Sequence, residues 1–227
     1  MKFILAVLTV SLASGAEDAD STLWSQYVRG GLSHDQGKNG GHGYYRINRK
    51  TATSFRDLRF FGYGLGDDSY IYLRYKSSAR YSKNGKLYNF TTASYKKNTR
   101  ADLAMRYHFN QGFGYFMKGY KNGHVTGELG HAYDMSDFLN DTRKTSYLKS
   151  GIFWDHNLWE IKTKLEIEWF KQISDVVTND LSRIQIFAEI SYQLTNSLSF
   201  IVGFEQDYYT SNNQIPLSYY FSLGWQK

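Results

Sequence analysis

Glu160, Lys162, Lys164, Glu166 and Glu168 stand at every second position between Leu158 and Phe170, and Trp159, Ile161, Thr163, Leu165, Ile167 and Trp169 stand between them. Charges at a period of two are the chemistry this chain offers most plainly. On a β-strand they share one face, and a row of ionised side chains facing water sorts solutes by charge and makes or breaks no bond. A helix would scatter both sets around its circumference. The same reading extends to two walls. Arg74, Lys76, Arg100, Arg106, Lys118 and Lys149 fall on the charged faces of earlier strands, with Asp102 as the acid in that set, and Lys162 and Lys164 join them in sign. Glu160, Glu166, Glu168, Glu189, Glu205 and Asp207 form an acidic wall, with Arg183 mixed in. A basic wall facing an acidic one orders water and orients polar solutes.

Bond-making chemistry is harder to find. His34, His42, His108, His124, His131 and His156 show no metal-ligand spacing on one strand face with carboxylate support, and the chain has no cysteine. His131 with Asp134 and His34 with Asp35 are the candidates for an acid–base pair near an outer rim, and they read better as solvated loop histidines. No catalytic residue, metal or cofactor is expected. Tyr72, Tyr120, Tyr147 and Tyr220 point inward by the same alternation and offer aromatic faces beside the charges, a surface that suits sugar rings.

Strands must position these residues, and their length says where. The apolar face from Trp159 to Trp169 has the 9–11 residues of a tilted transmembrane strand. Trp159, Trp169, Tyr192, Tyr219 and Trp225 are the aromatics expected at the two membrane interfaces. The composition agrees: 18% of residues are aromatic, with 20 Tyr and 15 Phe, and there is a single Pro. No stretch after the first residues approaches the 18 apolar residues of a helical span. Residues 1–16 carry Lys2, an apolar run from Phe3 to Leu12 and the small residues Ser14, Gly15 and Ala16, the pattern of a secretory leader, so the expected domain is 17–227. The net charge of +6 has no compact basic run with stacking aromatics beside it, which argues against nucleic acid.

Turn signals set the strand count. Asn110-Gln111-Gly112, Asp155-His156-Asn157 and Thr195-Asn196-Ser197 are flanked by aromatic and aliphatic residues, and Gly66-Asp67-Asp68 is a looser fourth. With these four and both termini on the periplasmic side, parity predicts an all-β, antiparallel up-and-down barrel of ten strands, near 22–31, 55–64, 69–79, 99–109, 112–121, 145–155, 158–170, 181–194, 198–209 and 216–226. The remainder, 32–54, 80–98, 122–144, 171–180 and 210–215, reads as external loops. A weak alternation from Gly119 to Tyr133 extends the fifth strand, and twelve strands follow if a loop hides another hairpin. Lys83, Lys86, Lys96, Lys97 and Lys144 would then lie beside lipopolysaccharide phosphates.

Leu217, Tyr219, Phe221, Leu223 and Trp225 alternate with polar residues almost to the end of the chain. This resembles the C-terminal strand of bacterial outer-membrane proteins, although Gln226 and Lys227 follow the last aromatic. Together with the leader and the repeated strand–turn–strand pattern, the mature chain resembles the small monomeric outer-membrane porins, in particular the oligosaccharide-specific type that includes oligogalacturonate and sialic-acid channels. Those barrels generally have twelve strands and a basic lumen, and the ten strands and acidic wall read here depart from both. The resemblance is architectural and assigns no residue roles. It implies an outer-membrane channel for small polar or charged solutes, embedded in lipid and lipopolysaccharide as a monomer. A closed barrel acting through its loops as an adhesin or envelope-stabilising protein, and third an outer-membrane enzyme, are the other expectations.

Overall fold

In the computed structural model the described residues are 22–35, 38–65, 68–99, 103–136, 143–174, 180–210 and 217–226. They form twelve strands: β1 Leu23–Asp35, β2 Lys38–Lys50, β3 Ser54–Leu65, β4 Asp68–Arg80, β5 Leu87–Asn98, β6 Leu103–Tyr120, β7 Gly123–Ser136, β8 Arg143–Leu158, β9 Ile161–Gln172, β10 Arg183–Gln193, β11 Leu198–Tyr209 and β12 Leu217–Gln226. Each pairs antiparallel with its sequence neighbours, and β1 pairs with β12 to close the barrel. Closure leaves no edge strand, which membrane insertion requires of a sheet. The expected leader, 1–16, and Arg100 and Asp102 lie outside the described residues.

Burial is inverted relative to a soluble protein. Lys149 is 1% exposed and Asp57 1%, while Leu129 is 57% and Ile190 54% exposed. The apolar residues form rows across neighbouring strands, such as Ile152, Ile167 and Ile186 on β8, β9 and β10. Such a band around a closed barrel is the surface lipid covers, with the charged faces turned inward.

The count of ten is corrected to twelve. The two strands expected at 99–109 and 112–121 are replaced by the one long strand β6, Leu103–Tyr120, because Asn110 and Gly112 pair on both sides, with Thr92 and Phe90 of β5 and with Ala132 and Gly130 of β7. Gly112 serves close packing there: a Cβ would sit 2.1 Å from the Leu129 carbonyl oxygen. The segments read as loops supply β2, β5 and β7. On their outward faces Gly41 and Gly43, Asn89, Thr91 and Ala93, and Gly127 interrupt the apolar residues, such as Tyr45, Leu87 and Leu129, so the alternation is broken and the partners' ladders help to hold these segments as strands. The weak alternation after Gly119 is β7 itself.

With twelve strands, the connections at 51–53, 81–86, 121–122, 159–160 and 194–197 lie at the end of the barrel that holds both strand termini, β1 start and β12 end. The strand ends that flank the two longest connections, 173–182 and 210–216, lie at the other end. Short turns mark the periplasmic end and long loops the external one. The ends of β3 and β4 that flank the expected turn at Gly66-Asp67-Asp68 are external, against expectation, and Gly66 and Asp67 themselves lie outside the described residues. Lys83 and Lys86 fall at the periplasmic end, whereas Lys96 and Lys97 sit at the external end of β5, where Lys96 lines the lumen.

Candidate functional site

The lumen is built by alternate residues of every strand. Arg29 on β1, Arg46 on β2, Arg59 on β3, Arg74 on β4, Lys96 on β5 and Arg106 on β6 all line it, and Lys76 shares the inward register of Arg74. Arg46, Arg59 and Arg74 occupy one transverse row, since Arg46 pairs with Arg59 and Arg59 with Arg74. Opposite them, β9 contributes Glu166 and Glu168, β10 Glu189 and β11 Glu205 and Asp207. These surround a cavity of about 250 Å³. Tyr44, Phe61, Tyr63, Tyr70, Tyr72 and Tyr220 line the same space beside the arginines. Tyr63 and Tyr70 stack with ring centroids 4.8 Å apart, and the Arg29 guanidinium lies 4.2 Å from the Tyr44 ring centroid.

Two kinds of ion pair occupy this interior. The first kind is tight and holds the wall together. Arg29 Nη1 donates to Glu189 Oε2 at 2.5 Å, and the Tyr220 hydroxyl donates to the same oxygen at 2.6 Å. Asp57, its side chain fully buried, accepts from Arg46 Nε at 2.5 Å and from Arg59 Nε. Asp134 accepts from Arg183 at 3.2 Å and bonds the His108 ring. Toward the periplasmic end, Glu128 accepts from Lys76 at 2.5 Å, from Lys149 at 2.9 Å and from the Tyr88 hydroxyl at 3.1 Å. Both ammonium groups lie about 5 Å from the ring centroids of Phe90 and Phe153. This cluster ties β4, β5, β7 and β8 together on the inner side of the barrel.

The second kind crosses the barrel. Lys96 Nζ lies 3.9 Å from both Glu205 and Asp207, six strands away, and Arg74 Nη1 lies 4.0 Å from Glu166, five strands away. At these separations the charges attract without a hydrogen bond. The waist of the barrel is therefore bridged by long side chains in loose contact.

The residues expected for the walls sort as follows. Arg74, Lys76, Arg106, Lys149 and Lys164 lie on the lumen face, and so do Glu166, Glu168, Glu189, Glu205 and Asp207. Lys162 shares the inward register of β9 but is exposed at the periplasmic mouth. Lys118 does not face the lumen: a register shift between Phe116 and Lys118 adds Met117 as an extra residue, and beyond it Lys118 and Tyr120 join the outer surface. There the Trp154 indole donates to the Tyr120 hydroxyl at 2.7 Å. Glu160 is no part of the acidic wall, because it lies in the turn between β8 and β9. Trp159 precedes it in that turn with a φ of 52°, so it ends the hairpin and does not continue the apolar face of β9. Trp169, Tyr192 and Trp225 stand on the outer face, 60%, 48% and 48% exposed. Tyr219 shares that face by register, with its ring against Phe221.

Sequence reasoning missed Arg29, Arg46 and Arg59, because it misread β1 to β3, and Glu128 and Asp134, because β7 was read as a loop. The period of two in Arg56 to Tyr63 was a usable signal for Asp57, Arg59 and Phe61, but the aromatics on both faces masked it. His131 and Asp134 do not form a pair, since they sit on opposite faces of β7, and the side chains of His34 and Asp35 lie outside the described set. Among the described residues no three His, Asp or Glu side chains are arranged to hold a metal ion.

A closed twelve-stranded antiparallel barrel with a lipid-facing apolar band and a charged interior is a transmembrane β-barrel of the bacterial outer-membrane type. Within that class the fold is that of small porins. The NanC porin aligns over 88% of this chain and 98% of its own, with a TM-score of 0.60 and 8% identity. The KdgM porin, solved in complex with disordered oligogalacturonate, aligns over 89% of this chain and 98% of its own, with a TM-score of 0.52 and 12% identity. No protein-family model and no curated protein matches the sequence. The likeness is thus one of fold, and twelve strands is the count the porin resemblance implied.

Proposed function

We propose that the protein is a diffusion channel for small polar or charged solutes, exported by its leader and working without covalent chemistry. The observation that carries this reading is the separation of charge across the lumen. The arginines and lysines of β1 to β6 face the carboxylates of β9 to β11 over a cavity that small solutes fit. The contacts that bridge it, at 3.9–4.0 Å, are loose enough to part. Such a transverse field fixes the orientation of a dipolar solute and sets ion selectivity. Planar-bilayer recording tests it: the folded protein gives discrete conductance steps, and Glu166→Gln with Glu168→Gln shifts the reversal potential toward anions while folding is kept. Silent bilayers with correctly folded protein overturn the reading. They would favour a closed barrel acting through its external loops, for which the specific observation is the same set of bridges across the waist.

A further inference from the structure

We infer that the solutes this channel favours are zwitterions, small molecules that carry a carboxylate and an ammonium group. The inference rests on the channel reading above and adds the solute class. The pairs at 2.5–2.9 Å that hold Asp57, Glu128 and Glu189 lie between strands at most three apart and belong to the wall. The pairs that block passage are Lys96 with Glu205 and Asp207, and Arg74 with Glu166, which join opposite walls. A solute that passes must separate them.

Separating two charges in a narrow, partly desolvated interior is unfavourable unless each finds a new partner. An anion would satisfy Arg74 and Lys96 but draw away from Glu205 and Asp207 the ammonium that lies 3.9 Å from each, while Glu166 keeps Lys164 and Glu168 keeps Lys149. A cation would do the converse, and an uncharged polyol would compensate neither wall. A zwitterion replaces both halves of the pair it displaces: its carboxylate takes the cationic wall and its ammonium the acidic wall. Two features of the site favour that orientation. In the guanidinium row Arg46 and Arg59 use their Nε on Asp57, and their remaining N–H groups, with those of Arg74, are planar donors suited to a carboxylate. Opposite it, the carboxylate oxygens of Glu205 and Asp207 already hold an ammonium, that of Lys96.

The experiment is liposome swelling with two four-carbon solutes of zero net charge, γ-aminobutyrate and erythritol, in vesicles containing the folded protein. The expected result is faster entry of γ-aminobutyrate by about tenfold, the factor that one hydrogen bond to a charged group contributes. That preference should disappear in a variant carrying Glu166→Gln, Glu205→Gln and Asp207→Asn, and also in one carrying Lys96→Gln and Arg74→Gln. Equal entry of the two solutes through the wild-type protein leaves the channel reading standing and overturns the zwitterion inference. Entry of neither, with heat-modifiable mobility showing a folded barrel, overturns both. A preference that survives in a folded variant of either wall overturns the pairing argument.

Discussion

Replacing Glu128 by Gln keeps its shape and removes its charge from an enclosed part of the wall. Its side chain is 1% exposed and accepts from Lys76 at 2.5 Å, Lys149 at 2.9 Å and Tyr88 at 3.1 Å. Lys149 keeps a second carboxylate, Glu168, at 2.6 Å, but Lys76 is left against a neutral amide with the Phe90 and Phe153 rings beside it. Breaking a buried pair from one side costs about 3–5 kcal/mol, because the remaining charge stays desolvated. Glu168→Gln is the control, since Lys149 then retains Glu128, and it should cost about 1–2 kcal/mol as the loss of one charged hydrogen bond. Adding Lys76→Met to Glu128→Gln should recover part of the loss by removing the stranded charge. Urea titration of protein folded into lipid vesicles, followed by tryptophan fluorescence and heat-modifiable mobility, reads all three. If Glu128→Gln and Glu168→Gln cost the same, or if each stays below about 1 kcal/mol as solvent-exposed pairs do, the cluster is hydrated and this reasoning is wrong.

Three further outcomes are expected. Leu165→Lys with Ile167→Lys places two charges on the lipid face of β9 and should impair insertion by about 2–4 kcal/mol for each charge near the midplane, measured by folding yield into vesicles. Gly203→Ala puts a Cβ 1.9 Å from the Tyr220 ring, which must leave Glu189, whereas Gly43→Ala meets nothing within 4 Å. The first should cost about 1–3 kcal/mol in the same urea titration and the second no more than about 0.5 kcal/mol, so equal effects would refute the packing account. In the external connection between β9 and β10, the Ser182 hydroxyl and its backbone N–H, at 2.9 Å, donate to Asp180 and hold its carboxyl below the usual value. Any stability this lends the connection is present above the unfolded pKa and fades as pH falls through the lowered one, and Ser182→Ala should raise the titration midpoint seen by NMR.

The alternation of charge and apolar side chains in β9, β10 and β12 was sufficient to read a membrane strand, its two faces and an acidic wall, because each side-chain direction follows from the parity of its own residue. Parity also placed Arg74, Arg106 and Lys149. It failed at Lys118, where one inserted residue turns the rest of β6 around, and at Trp159 and Glu160, where the strand had already become a turn. It did not reveal β2, β5 and β7, where glycine, threonine, alanine and asparagine interrupt the outward apolar residues, such as Tyr45, Leu87 and Leu129, and where neighbours on both sides help to impose the strand conformation. Nor could it show which charges meet. Lys76 with Glu128, Lys96 with Asp207 and Arg74 with Glu166 are 52, 111 and 92 residues apart in the chain and come together only because twelve tilted strands close into a ring. The sequence by itself determined that there would be a lipid face and a charged face. Closure decided which charges lock into the wall and which bridge the waist, because distance across a lumen depends on the whole circumference.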